Sequence, residues 1–230
     1  MKLFSLKDKN ILVVGASRGI GNHIAKELFK SKANVLGIAR SNIKSKIVFP
    51  YKVYDITNSK NLNELYDYLK ASDFILDGLV LNSSISCPPI DTIHNNSINS
   101  YKLSQTPEAF SSILESNLIS IYNLIYFLSP LISTKASIVA ISSIGSLMGF
   151  PNNPSYQASK AGLNALIRSL ALDLSKYEIR ANYLNLGYFK APMTHDSYND
   201  LNLRAKRSQR TLLGRWGNID EIVGPAIFLL

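Results

Sequence analysis

Cysteine is almost missing from this chain. Cys87 is the only thiol among 230 residues, so neither an internal disulfide nor a thiolate zinc site can form, a usage that fits a reducing compartment and predicts a cytoplasmic protein. Histidine is nearly as scarce: His23, His94 and His195 stand far apart with no ligand spacing, and no metal site is expected. Long apolar runs are absent too. The greasiest stretch, residues 118–132, is broken by Ser120, Asn123, Ser129 and Pro130; it falls short of the ~20 residues a bilayer span needs and reads as a buried helix, with no membrane partner. Residues 1–9 carry a charge every few positions and no apolar segment, which excludes a secretory signal. Acids are in deficit, 16 against 25 Lys and Arg for a net charge of +9. The bases are scattered among apolar residues, with no recognition helix or interleaved stacking aromatics, so they read as solvated surface and no nucleic-acid partner is expected. Linkers, repeats and low-complexity segments are also lacking. With 46% hydrophobic and 18% charged residues, the composition describes one well-packed domain over residues 1–230.

What is present is a rhythm. Continuous apolar runs at residues 11–14, 34–38, 78–81 and 137–141 look like strands buried on both faces. Between them, Ile20, Ile24 and Leu28 share one helical stripe, and Leu62, Leu65, Tyr66 and Leu69 follow the i, i+3, i+4, i+7 pattern. Strands without alternation, separated by amphipathic helices, require a parallel sheet covered on both sides. The predicted fold is therefore α/β, a single-domain doubly wound parallel sheet of the Rossmann type with helices on both faces. One polar, proline-bearing excursion covers residues 83–106.

After the first strand stands Gly15-Ala16-Ser17-Arg18-Gly19-Ile20-Gly21, opening a helix. Glycines there let the backbone turn tightly and approach a pyrophosphate at the helix N-terminus. The second strand ends in Arg40-Ser41, with no carboxylate to accept from a ribose 2′-hydroxyl. Arg18 and Arg40 instead offer cations for a 2′-phosphate, which predicts NADP(H). Farther on, Tyr156 and Lys160 are four residues apart and share one helix face. At an effective dielectric of ~20, an ammonium ~4 Å away contributes about 4 kcal/mol, which bounds the lowering of a phenol's pKa at roughly 3 units and would bring it toward neutrality. The same spacing, taken alone, also reads as ordinary helix surface. Ser143 follows a strand thirteen residues before Tyr156, with Ser142 as second choice.

In this order, the glycine loop with three residues and then one between its glycines, the serine after a strand and the Tyr-x-x-x-Lys pair resemble the short-chain dehydrogenase/reductase family over residues 8–230. The resemblance is closest to 3-oxoacyl-carrier-protein reductases and related sugar or ketone reductases. It implies an NADP-dependent oxidoreductase moving hydride between nicotinamide and a carbonyl or secondary alcohol. Ser143 would bind the carbonyl, Tyr156 would pass the proton, and Lys160 would hold the nicotinamide ribose. Asn117 would hold a water that relays protons, or else satisfy local backbone. Asp55 and Ile56 would meet the adenine, although Asp55 is equally well explained as an Asx cap. Asn82 and Gly187 complete the implied cofactor set, and a homodimer or homotetramer is implied.

Several positions depart from the family pattern. Leu81-Asn82-Ser83-Ser84 stands where Asn-Asn-Ala-Gly is usual, putting the Ser84 side chain where backbone normally approaches the cofactor. Leu186 replaces a proline, and Ala191 replaces a threonine that would contact the nicotinamide amide. The excursion containing Ser86-Cys87-Pro88-Pro89 is about ten residues longer than the family pattern and is expected to wall the substrate pocket. Arg204, Lys206, Arg207, Arg210 and Arg215 gather where relatives carry a mobile lid, suggesting either an anionic, sugar-like or carrier-linked substrate or a merely solvated helix. Asn218 and Glu221 form a capping pair for a last helix. The usual final strand and glycine-bearing tail are not seen before Leu230, which leaves truncation and altered assembly both open. The competing readings are a non-catalytic NADP(H)-binding sensor and an epimerase or dehydratase; the latter would carry a two-and-two glycine loop.

Overall fold

The structure, a computed structural model, describes residues 4–42, 47–86 and 103–230. Cys87, His94 and the body of the excursion lie outside the described residues. Among those described, six strands form one parallel sheet: β1 (Asn10–Val14), β2 (Asn34–Ala39), β3 (Tyr51–Val53), β4 (Leu76–Leu81), β5 (Ile132–Ser143) and β6 (Arg180–Leu186). Their order is β3-β2-β1-β4-β5-β6, the doubly wound arrangement the apolar runs predict. β5 begins five residues earlier than its apolar run. Its register against β4 is irregular between Leu76 and Gly78, so polar Ser133 and Thr134 enter the strand through a shifted pairing.

Strand side chains alternate between two cores. Leu12 and Val14 face one cluster with Leu62, Leu65 and Leu69 of α2 (Ser59–Ala71), whereas Ile11 and Val13 face the other with Ile24, Ala25 and Leu28 of α1 (Gly19–Lys30). Both stripes read from the periodicity are thus the buried faces of their helices. At ~1.5–3 kcal/mol per fully buried Leu or Ile, these two layers are what anchor the helices to the sheet. The segment at residues 118–132 is not one buried helix. A π-helical turn at Glu115–Ile119 joins α3 (Pro107–Leu114) to α4 (Ser120–Leu128), and a 3₁₀ turn at Ser129–Leu131 ends the run at Pro130. No described helix is long and apolar enough to cross a membrane.

Because β1 pairs with both β2 and β4, the chain reverses its winding direction at the carboxyl ends of β1 and β4. That switch point is where open α/β sheets leave a crevice. The 21-residue helix α5 (Pro154–Leu174) packs beside β5 and β6 and brings its first turns to the same crevice. Asn218 closes the predicted capping box with Glu221 ahead of the last helix, Val223–Leu229.

Candidate active site

A cleft of about 750 Å³ opens at this switch point, within the size range of small-molecule sites. Its two ends are built differently.

One end is backbone. Gly15 has φ +77°, and a Cβ there would lie 2.8 Å from Ser83 N, so both conformation and space call for glycine. Asn82 ties the loop down, its Nδ2 donating to Gly15 O at 3.2 Å. The loop leads into α1 with Arg18 at the N-cap, no side chain capping the first N–H groups and no acid in the first turn. An uncapped helix start facing a cleft suits an anion. Gly15, Ser17, Arg18, Gly19 and Ile20 all line the cleft. Gly21 does not: a side chain there would collide with Gly15 O and the Asn82 amide, so this glycine serves packing of helix on loop, a correction to its place among the predicted cofactor contacts.

Arg40, Ser41 and Asn42 form the rim beyond the loop, and among the described residues neither Arg18 nor Arg40 has a carboxylate partner. The one nearby acid, Asp55, lines the cleft with Ile56. Its Oδ1 accepts from Thr57 N at 3.0 Å and Thr57 Oγ1 at 2.8 Å. The helix cap itself is Asn58, whose side chain accepts from Lys60 N and Asn61 N. Asp55 therefore closes an Asx turn through Oδ1 and is not the cap of α2.

The other end is made of side chains. Ser143 ends β5 and caps the next turn, its Oγ accepting from Gly145 N at 3.0 Å. Tyr156 and Lys160 come one turn apart from α5, and all three line the cleft. Lys160 is 2% exposed, and its Nζ donates to Ile141 O at 2.9 Å and sits 5.8 Å from the Tyr156 ring centroid. Burial lowers the Lys160 amine from its usual 10.5 to about 8. The Tyr156 phenol moves up, opposite to the expectation from its cationic neighbour. Burial is the largest cause, since it strips water from the phenolate; the hydroxyls of Ser143 and Ser84 beside it pull partly back. The same burial weakens the cation that was expected to do the lowering.

Asn117 sits behind the cleft wall. It is fully buried in the π-helical turn and does not line the cleft. Its Oδ1 accepts from Ile85 N at 2.8 Å, while Nδ2 donates to Ile85 O at 2.8 Å and Ser159 Oγ at 3.1 Å. The side chain clamps the loop after β4 to α5, and its amide is used up in doing so. A π turn breaks the regular helical ladder where a functional contact is needed.

Gly187 and Leu186 line the cleft, as do Ala191 and Thr194. Thr194 supplies a hydroxyl three residues beyond the missing threonine, but that oxygen already donates to Phe189 O and accepts from Ala191 N. None of the five basic residues of the lid lines the cleft. Arg204 lies over Tyr198 at 5.1 Å, Arg207 over Tyr188 at 5.2 Å, and Arg210 over Phe150 at 5.8 Å. Arg215 pairs with Glu221, holding that carboxyl at about 2. Arg204, Arg207 and Arg210 thus pack on aromatic rings, Arg207 lying over Trp216 as well at 5.9 Å. Residues at the two ends of the excursion dock at the start of α5: Asn153 Nδ2 donates to Ser86 Oγ at 2.8 Å, and Gln105 Oε1 accepts from Ser155 N at 3.0 Å.

The residues that sequence reasoning passed over are Ser84 as a neighbour of the phenol and the rim residues Ser41 and Asn42. Ser84 was marked only as a departure, and nothing local signals which way its hydroxyl points.

A family model described as enoyl-(acyl carrier protein) reductase matches residues 15–230 of the chain. The chain is 30% identical over 237 residues to an L-xylulose reductase of Caenorhabditis elegans, with 99% of this chain and 90% of that protein covered. It is 32% identical over 231 residues to a 3-oxoacyl-(acyl-carrier-protein) reductase of Chlamydia muridarum, with 97% and 90% covered. Among solved structures, it is similar to a gluconate 5-dehydrogenase of Burkholderia cenocepacia in complex with NADP and tartrate. The TM-score there is 0.85 at 25% identity, with 98% of this chain and 89% of that one covered.

Proposed function

The chain belongs to the short-chain dehydrogenase/reductase family of oxidoreductases, and from that premise we propose that it reduces the carbonyl of a small molecule with NADPH, or runs the reverse oxidation of a secondary alcohol. The observation that carries this reading is the convergence of Ser143, Tyr156 and Lys160 at one end of a cleft whose other end is a glycine cradle flanked by Arg18 and Arg40. Keto-sugars or keto-sugar acids and β-ketoacyl thioesters are the substrate classes to test first, because relatives are named for both.

The cleft fits the dinucleotide in shape and charge: backbone held open by Gly15, an uncapped helix start, and two rim arginines suited to a 2′-phosphate. When bound there, the nicotinamide supplies or accepts the hydride. The protein's part is to manage the oxygen. Ser143 offers its hydroxyl proton to the carbonyl, and Tyr156 gives up a phenolic proton as negative charge develops there. Lys160, which lines the same end, would hold the ribose hydroxyls and support the charge left on the phenol. A phenol held above its ordinary range is fully protonated at neutral pH, the state that reduction consumes; oxidation needs the phenolate and is favoured only at alkaline pH.

NADPH oxidation followed against keto-sugars, β-ketoacyl thioesters and simple ketones tests the reading. Turnover on at least one class, faster with NADPH than with NADH, is expected. Tight NADPH binding with no turnover on any class would return the chain to the sensor reading. A homodimer or homotetramer is the proposed assembly, read by light scattering.

A further inference from the structure

We propose that Ser84 is a positioning residue for Tyr156, its buried hydroxyl donating to the phenolic oxygen as that oxygen releases its proton. The proposal rests on the reading of Tyr156 as the proton donor. Ser84 stands where the family pattern has glycine, so this hydroxyl is an addition of this chain. Three observations bear on it. Ser84 Oγ is buried and without a hydrogen-bond partner of good geometry. The residue itself lines the same cleft as Tyr156 and Ser143. Its backbone is fixed from both sides, by Asn82 on the Gly15 carbonyl and by the two 2.8 Å hydrogen bonds in which the Asn117 amide accepts from Ile85 N and donates to Ile85 O.

Counting donors explains the need. The Ser143 oxygen already accepts from Gly145 N, and its hydroxyl has one proton to give. If that proton goes to the substrate carbonyl, Ser143 has none for the phenolic oxygen. When the phenolic O–H bond breaks and the new alcohol O–H bond forms, the negative charge left on Tyr156 faces a buried site in which desolvation is the dominant influence. A free hydroxyl proton on Ser84 meets that charge. An unpartnered buried hydroxyl in a folded protein calls for an explanation, and a partner that changes charge during the reaction supplies one. Ser142 Oγ is also buried and unpartnered, but it is not among the groups acting on the phenol.

The test compares Ser84→Ala, which removes the hydroxyl and keeps Cβ, with Ser84→Gly, which restores the family residue. Tyrosines are labelled at ¹³Cζ, and the Tyr156 signal is assigned by its absence from Tyr156→Phe. Both variants should raise the Tyr156 pKa by about one unit, and Ser84→Thr should return it toward the starting value. The alkaline limb of alcohol oxidation should move with it, while the NADPH dissociation constant stays within about twofold. An unmoved Tyr156 titration in Ser84→Ala overturns the proposal, and so does a shift in Ser84→Gly alone, which would mark Ser84 as a space-filler. The titration needs no turnover, so it separates this inference from the assignment of function. Undiminished turnover in Tyr156→Phe would remove the catalytic reading and leave the hydrogen bond to be judged by the titration.

Discussion

The two ends of the cleft solve different problems by different means. At the glycine end, the proposed recognition of the dinucleotide rests on backbone shape and exposed arginines: Arg18 and Arg40 stand in solvent on the rim, and their charge acts through a screened medium. At the other end, Lys160 is 2% exposed and Ser142 is 4% exposed, and burial is the largest influence on the ionisable groups, moving lysine down and tyrosine up. The lesson is that sequence spacing identifies which groups meet, whereas dielectric environment decides what protonation state they meet in. An i, i+4 phenol and ammonium look like mutual support on paper, yet inside a fold both lose water before either gains a partner.

The sharpest break in the comparison is Tyr156→Phe. Turnover should fall by about 10²–10⁴-fold, the usual span of a lost proton donor, while the NADPH dissociation constant measured by fluorescence titration is unchanged. Replacing both rim arginines, Arg18→Ala with Arg40→Ala, should do the opposite. NADPH affinity should drop by roughly 10–100-fold, more at low salt, as two charge-assisted contacts to a phosphate are lost. NADH affinity should hold, and a matching loss for NADH would refute the 2′-phosphate role.

A smaller effect separates shape from charge. Gly15→Ala puts an L-residue at φ +77° with its Cβ 2.8 Å from Ser83 N. It should cost about 1–2 kcal/mol in thermal unfolding and weaken both cofactors alike. Gly224→Ala, in the helix Val223–Leu229 with no atom within 4 Å of the added methyl, is the matched control and should leave the melting temperature unchanged or slightly raised.

The gentlest test uses pH. The folded Lys160 amine titrates near 8 against 10.5 when unfolded, so above 8 the unfolded chain holds a proton the folded chain has released. Stability of the unliganded protein should therefore rise with pH between about 8 and 10, by up to ~1.4 kcal/mol per unit, relative to Lys160→Met. Above 10 the trend should reverse, because Tyr51, Tyr54 and Tyr156 keep their protons in the folded state beyond the point at which the unfolded chain loses them. Chemical denaturation of the two proteins across this range reads both slopes, and parallel curves would contradict the burial argument.

Much of this was written locally. The run before Gly15, the stripe of Ile20, Ile24 and Leu28, and the four-residue step from Tyr156 to Lys160 each depend on one period, and one period survives folding because strands and helices keep their geometry. The basic cluster carries no such period. Arg204, Arg207 and Arg210 are clustered in sequence, but what they face depends on Tyr198, Tyr188 and Phe150, which come from other segments. Asn117 carried a helix signature without revealing that a π turn aims its amide at Ile85, 32 residues away. Ser84 was visible only as a departure, since its meaning needs a phenol 72 positions later to arrive beside it.

Order along the chain was enough to specify a doubly wound sheet, a glycine cradle at its switch point and a phenol and amine on one helix face, because those follow from backbone periodicity and short-range sterics. Which hydroxyls surround the phenol, where the arginines rest and which way the two pKa values move were decided only when distant segments packed together, because burial and hydrogen bonding belong to the assembled cleft and to no single stretch of residues.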